Sequence, residues 1–137
     1  MGRMRIRPNL RRALDSDAKD VEYILKEAGL IPGGFTFAQV EPNWWVAEYH
    51  QEIVGCIQVL PGRPLGHVGF LGVLSGYLNA GVGGYLYLLA ESLLRNTKGC
   101  EGYTYHTANP AIKKQGRKGG AVVFGDPVEL LFKKIKE

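Results

Sequence analysis

The residues best suited to chemistry lie in one stretch, Leu71 to Glu91, LGVLSGYLNAGVGGYLYLLAE. An apolar run, Phe70 to Leu74, gives way to small residues. Asn79-Ala80-Gly81-Val82-Gly83-Gly84 then opens into Tyr85, Leu86, Leu88, Leu89, Leu93 and Leu94, spaced as one face of a helix. The order is strand, glycine turn, helix. A helix start carries unpaired N–H groups and the positive end of the macrodipole. Glycines let a large anion approach those groups. The stretch therefore suits a phosphate or diphosphate. It is not a Walker loop, because no Lys follows Gly83 or Gly84. Nor is it the dinucleotide fingerprint: counted from Gly81 and Gly83, the last glycine of that pattern falls on Leu86. An ordinary strand-to-helix turn, with Gly for tight packing, is the competing reading.

Other chemistry is sparse. No His/Cys/Asp cluster has metal-ligand spacing, so no metal is expected. Neither a Ser-His-Asp nor a Cys-His arrangement is evident. Cys56 and Cys100 do not make a disulfide scaffold; they read as buried small hydrophobes suited to a reducing cytoplasm.

The elements that must position the glycine turn follow from the rest of the chain. Its 137 residues suffice for one domain with a single core. At 45% hydrophobic and 22% charged, the composition is that of a globular protein. No apolar stretch reaches about 18 residues, which excludes a membrane helix. The basic start MGRMRIRPNLRR lacks the apolar core of a signal peptide, so a cytoplasmic location is expected. The net charge of +4 collects at Arg3, Arg5, Arg7, Arg11 and Arg12 and again at Lys113, Lys114, Arg117, Lys118, Lys133, Lys134 and Lys136. Nucleic acid is one reading of such runs, but no aromatics interleave with them, which favours a solvated surface.

Leu10 to Leu14 reads as a strand, and Asp15 or Ser16 caps the helix that follows. Val21, Ile24, Leu25 and Ala28 mark its buried face, and Gly29 ends it. Phe35, Phe37 and Val40 follow a glycine loop as a short helix or an extended cover. Trp44 to Tyr49 and Ile53 to Leu60 form a hairpin turned at His50-Gln51. His67 to Leu74 is the strand that feeds the glycine turn, and Val82 to Arg95 is the long helix. Cys100 to Thr107 is a further strand, Asn109-Pro110-Ala111 opens a short helix, and Ala121 to Phe124 with Val128 to Ile135 close the chain as a hairpin.

Val73, Tyr77, Asn79, Gly81, Gly83, Leu88, Leu89, Ala90 and Glu91 fall in step with the coenzyme A signature of the GCN5-related N-acetyltransferase (GNAT) family, which the segment resembles. The resemblance extends over about residues 5 to 135, including LRRALDSDAKDVEYILKEAGL, WWVAEYHQEIVGCIQVL with its Gly55, and Asn109-Pro110-Ala111-Ile112. One departure is plain: where the family has Arg or Gln before the glycines, this chain has Leu78. The resemblance implies an α/β (α+β) GNAT fold. Its sheet is mixed and mostly antiparallel, with six to seven strands and about four flanking helices, and the fourth and fifth strands splay apart.

It also implies acetyl transfer from acetyl-CoA to an amine, directly and without a covalent enzyme intermediate. Pantetheine would pair with the backbone at Leu71, Gly72 and Val73. The diphosphate would sit on N–H groups from Asn79, Ala80, Gly81, Val82, Gly83 and Gly84, with Leu78 adding no charge. Asn109 would reach pantetheine or the thioester, or else caps its helix. His67 stands six residues before Val73, where members with a direct base often place Glu. An imidazole, with an unperturbed pKa of ~6.5, suits that task, though many members use waters instead. The fourth-helix Tyr that protonates the leaving thiolate in the family is absent, which leaves Tyr105 the nearest substitute. A tyrosine-rich strand also has a packing reading. The acceptor is not specified by any residue. Homodimers are common in the family, but no segment declares an interface. The alternative is a catalytically inactive member that binds a protein or nucleic-acid partner.

Overall fold

In the computed structural model, residues 5–29, 43–107, 122–123 and 129–134 are described, with side chains for 5–29 and 43–105. The strands are β1 (Asn9–Arg12), β2 (Trp44–Tyr49), β3 (Glu52–Leu60), β4 (Leu65–Val73), β5 (Gly102–Thr107), β6 (Val122–Val123) and β7 (Glu129–Lys134). The helices are α1 (Ala18–Glu27) and α2 (Val82–Arg95). The expected cover at Phe35, Phe37 and Val40, and the helix expected from Asn109, lie outside the described residues.

Contacts divide the chain into two compact units, Met1–Gln58 with Phe70–Leu89, and Val59–Gly69 with Ala90–Glu137. In the first unit the strand order is β1-β2-β3-β4. β1 runs antiparallel to β2, from Asn9 opposite Glu48 to Arg12 opposite Trp45. β2 and β3 form the expected hairpin, with a register shift between Ala47 and Glu48. Its two-residue turn holds His50 at φ 51° and Gln51 at φ 64°. Such left-handed turns match the twist of the flanking strands, which is why they recur in short hairpins.

Val21, Ile24 and Leu25 are the buried face of α1, as their spacing predicts. They share a core with Ala13, Trp44, Val46, Ile53 and Cys56. Burying each aliphatic side chain is worth ~1.5–3 kcal/mol. Ala28 departs from expectation: it lies at the helix end and is exposed. Gly29 follows at φ 72°, the left-handed conformation that stops a helix.

The start of α1 is built differently from expectation. Asp15–Asp17 form a 3-10 turn, and neither Asp15 nor Ser16 caps the helix with its side chain. Asp17 precedes the helix without a side-chain cap, and its carboxylate turns back toward β1. Its carboxylate accepts the Leu14 N–H at 2.7 Å and two hydrogen bonds from Arg11, at 2.8 and 3.1 Å. Arg11 Nε also donates to Glu48 on β2 at 3.2 Å. One guanidinium thus ties β1, β2 and the entry to α1. The Arg11 hydrogen bonds hold the buried Asp17 carboxyl below the usual carboxylate range, despite the opposing cost of burial.

In the second unit the order is β4-β5-β7-β6. β4 and β5 are parallel, in register from Leu65 opposite Gly102 to Val68 opposite Tyr105. β7 is antiparallel to both β5 and β6. The sheet is therefore mixed and mostly antiparallel. β4 begins at Leu65, two residues before the expected start, because Leu65 and Gly66 already pair with β5. Tyr103 is fully buried, and its hydroxyl donates to the buried Glu91 carboxylate at 2.6 Å. That bond explains an acidic residue on the buried side of α2. Among the described residues no helix is long and apolar enough to cross a membrane.

Arg11→Met should leave Asp17 buried without its cation and lower stability by about 2 kcal/mol at pH 7, discounted from a fully buried pair because Arg11 is partly exposed. Asp17 has a depressed folded pKa. Its contribution is therefore present above the unfolded value, ~3.9, and fades as pH falls through the folded one. Urea unfolding at several pH values should show the wild-type advantage shrinking below about pH 3.9. An advantage that stays constant with pH would mean the pair contributes nothing electrostatic.

Candidate active site

The glycine turn lies wholly in the first unit. β4 ends at Val73, and the Leu74 N–H donates to Val54 of β3 at 2.9 Å. A 3-10 turn, Ser75–Tyr77, is held by Glu27 of α1, which accepts the Ser75 N–H at 2.8 Å. Leu78 is 59% exposed. Asn79 then takes φ 69° and Gly81 φ 92°, which turn the chain into α2 at Val82. Few L-residues other than Asn tolerate such a conformation.

The first helical bond near the start of α2 runs from the Tyr85 N–H to the Gly81 carbonyl, at 3.2 Å. The N–H groups of Val82, Gly83 and Gly84 precede it, so helix geometry gives them no carbonyl four residues back. Nothing acidic stands in this first turn. A Cβ on Gly84 would meet nothing within 4 Å, and one on Gly83 only Val73 Cγ2, at 3.7 Å. Packing therefore does not require glycine at either place. N–H groups without helical carbonyl partners, at two glycines with open space beside their Cα atoms, are an arrangement that would suit a diphosphate.

Gly55 on β3 is a different kind of glycine. A Cβ there would lie 2.8 Å from Val82 Cγ1, 2.9 Å from Leu86 Cδ1 and 3.3 Å from the Gly72 carbonyl oxygen. Its bareness lets the first turn of α2 rest on the sheet. Gly72 faces the other helix: a Cβ there would sit 3.0 Å from Ile24 and 3.1 Å from Leu25. Pairing with β5 ends at Val68, whereas β4 continues through Leu71, Gly72 and Val73. Phe70, 38% exposed, stacks on Trp44 in this stretch, with ring planes 9° apart.

Arg5 also reaches the turn, a placement that no motif signals. Ile6 is buried and its N–H donates to the Ala80 carbonyl at 3.1 Å. Arg5 Nη1 lies 3.2 Å from where a Gly81 Cβ would be. In the sequence this residue belongs to the arginine run read as solvated surface.

His67 and Tyr105 lie in the second unit. His67 is half-buried opposite Thr104, and its Nδ1 is 2.8 Å from Thr104 Oγ1. No sequence motif marks Thr104, because only strand register makes it His67's neighbour. Tyr105 is 2% exposed, with its ring centroid 5.8 Å from that of Tyr103. Asn109 lies outside the described residues. Both cysteines are buried, and burial pushes the Cys56 thiol up to about 12, far from a nucleophile's range. Among the described residues no three His, Cys, Asp or Glu gather to hold a metal.

A family model described as the acetyltransferase (GNAT) family matches residues 9–114. No curated protein matches the chain. Solved structures share the fold at low identity. Ard1 from Thermoplasma volcanium superposes with a TM-score of 0.78 at 15% identity, covering 96% of this chain and 100% of that one. N-acetylglutamate synthase from Neisseria gonorrhoeae, complexed with coenzyme A and N-acetyl-glutamate, gives 0.78 at 15% identity over 96% of this chain and 36% of that one. PaiA N-acetyltransferase from Thermoplasma acidophilum, in complex with coenzyme A, gives 0.73 at 15% identity over 94% and 99%.

The two kinds of glycine should respond oppositely to a single methyl group. Gly55→Ala should destabilise by ~1–3 kcal/mol, because the stiff Val82 and a backbone carbonyl must yield. Gly84→Ala should stabilise by up to ~1 kcal/mol, since the helix gains propensity at no steric cost. Chemical denaturation of both variants checks this. A destabilised Gly84→Ala would show that the fold itself needs that glycine.

Proposed function

The chain belongs to the GNAT family of acetyltransferases, and on that premise we propose that it moves an acetyl group from acetyl-CoA directly to a primary amine. The observation that carries this reading is the start of α2: N–H groups without helical partners, at glycines that packing does not require. The diphosphate would rest on N–H groups between Asn79 and Gly84. Pantetheine would run along Leu71, Gly72 and Val73, where β4 continues past its last pair with β5. An extended ligand that adds to a strand in this way gains main-chain hydrogen bonds at little steric cost.

Direct transfer needs a neutral amine close to the thioester carbonyl, and a proton for the departing thiolate. Two ordered substrates supply most of this by proximity, so no enzyme nucleophile is required. The high Cys56 thiol pKa fits that economy. We assign the amine's proton to His67. Its Nδ1 lies 2.8 Å from Thr104 Oγ1, a contact that fixes the orientation of the ring. Tyr105 is the proposed donor to the thiolate, and Asn109 the proposed contact to pantetheine. The acceptor is an amine of open identity. A screen of amines, amino acids and peptides for acceptor-dependent release of coenzyme A decides it. Tight coenzyme binding with no acceptor found would favour a binding protein that keeps the fold without the reaction.

Gly83→Glu should place bulk and negative charge where the diphosphate is expected. Acetyl-CoA at about 100 times Kd should stabilise the wild type by ~2.7 kcal/mol and the variant hardly at all. Equal stabilisation of both proteins would move the coenzyme elsewhere.

With an acceptor in hand, His67→Ala should lower kcat by roughly 100-fold or more and remove the acidic limb of the pH–rate profile. A histidine that serves only Thr104 would lower the melting temperature and leave turnover per folded molecule intact. Measuring kcat and melting temperature across pH separates the two roles.

A further inference from the structure

Arg5 is an odd neighbour for the start of a helix. Its guanidinium stands over Gly81, at the positive end of α2, where cations are disfavoured and acids are the usual occupants. Among the described residues no carboxylate forms an ion pair with it, and the first turn of α2 contains no acid. Its backbone is nevertheless pinned, because the next residue, Ile6, is buried and bonded to Ala80. The protein thus spends chain organisation on holding a positive charge against a positive dipole. A bound dianion would reverse the sign of that interaction.

Leu78 sharpens the point. It occupies the place where an Arg or Gln would be expected, is 59% exposed and brings no charge. We propose that Arg5, reaching the turn from the segment before β1, grips the diphosphate of the coenzyme over Gly81 and so supplies the charge that Leu78 lacks. The inference rests on the coenzyme reading of the glycine turn. Charge and geometry support it together: a guanidinium carries a fork of donors matched to phosphate oxygens, while the backbone N–H groups approach from the helix side.

The test compares binding of acetyl-CoA with binding of acetyl-pantetheine, which has the same thioester arm without phosphate. Arg5→Gln should weaken acetyl-CoA roughly tenfold, as expected for loss of one charge-assisted pair, and flatten the salt dependence of its Kd. The same variant should bind acetyl-pantetheine as the wild type does. Arg7→Gln removes the same charge two residues away and should change neither ligand more than about twofold. Arg5→Gln with Leu78→Arg should regain much of the lost acetyl-CoA affinity. Wild-type binding of acetyl-CoA that Arg5→Gln leaves unchanged, or that Arg7→Gln weakens equally, overturns the role of Arg5 alone. Equal weakening of both ligands by Arg5→Gln would make the residue structural and also overturns it. A wild type that binds no acetyl-CoA overturns this inference together with the coenzyme reading.

Discussion

The closeness of α2 to the sheet depends on a missing methyl group. At Gly55 a Cβ would overlap Val82 and Leu86 and press on the Gly72 carbonyl. Val82 is the first residue of the helix, so whatever displaces it displaces the N–H groups of the first turn. A β-branched residue at 82 cannot swing aside cheaply, because its rotamers are few. The glycine turn is therefore positioned from beneath, by the strand it rests on, as much as by its own glycines. Gly72, turned toward Ile24 and Leu25, lets α1 come equally close. Two bare positions on neighbouring strands hold the first unit together around β3 and β4.

Arg11 and Asp17 solve a separate problem in the same unit. A short strand of four residues, rich in arginine, has little apolar surface with which to hold its place. One buried carboxylate and one guanidinium do the work instead, through three elements at once. Such a network fixes geometry more than it adds stability. In the second unit Tyr103 and Glu91 use the same device between a strand and a helix.

Much of this was legible in the sequence wherever a pattern repeats along the chain. The α1 face, the β2–β3 hairpin and its His50-Gln51 turn, and α2 from Val82 to Arg95 all follow from periodicity or from turn chemistry. What escaped depends on partners distant in sequence. Asp15 and Ser16 looked like caps because capping is a local rule, yet the carboxylate that matters is Asp17, chosen by Arg11. Ala28 fits the helical spacing but falls where the helix ends. Thr104 meets His67 only through the parallel register of β4 and β5. Arg5 was one arginine among several until Ile6 fixed it beside Gly81. The glycine turn before α2 was legible as a turn, but the distinction between glycines that packing demands and glycines it does not needed coordinates.

The burial of both cysteines has a consequence for exposure to oxidised thiols. The proposed acetyl transfer would release a thiol, and once oxidised to a disulfide such a thiol exchanges into mixed disulfides with accessible protein thiolates. Cys56 offers neither access nor thiolate, and the Cys100 sulfur is turned inward onto the Gly102 carbonyl at 3.1 Å. The folded chain thus offers no accessible cysteine sulfur to such a disulfide. Unfolding of either unit would expose the sulfur it buries, so thiol labelling of this protein reports on its integrity rather than on its redox surroundings.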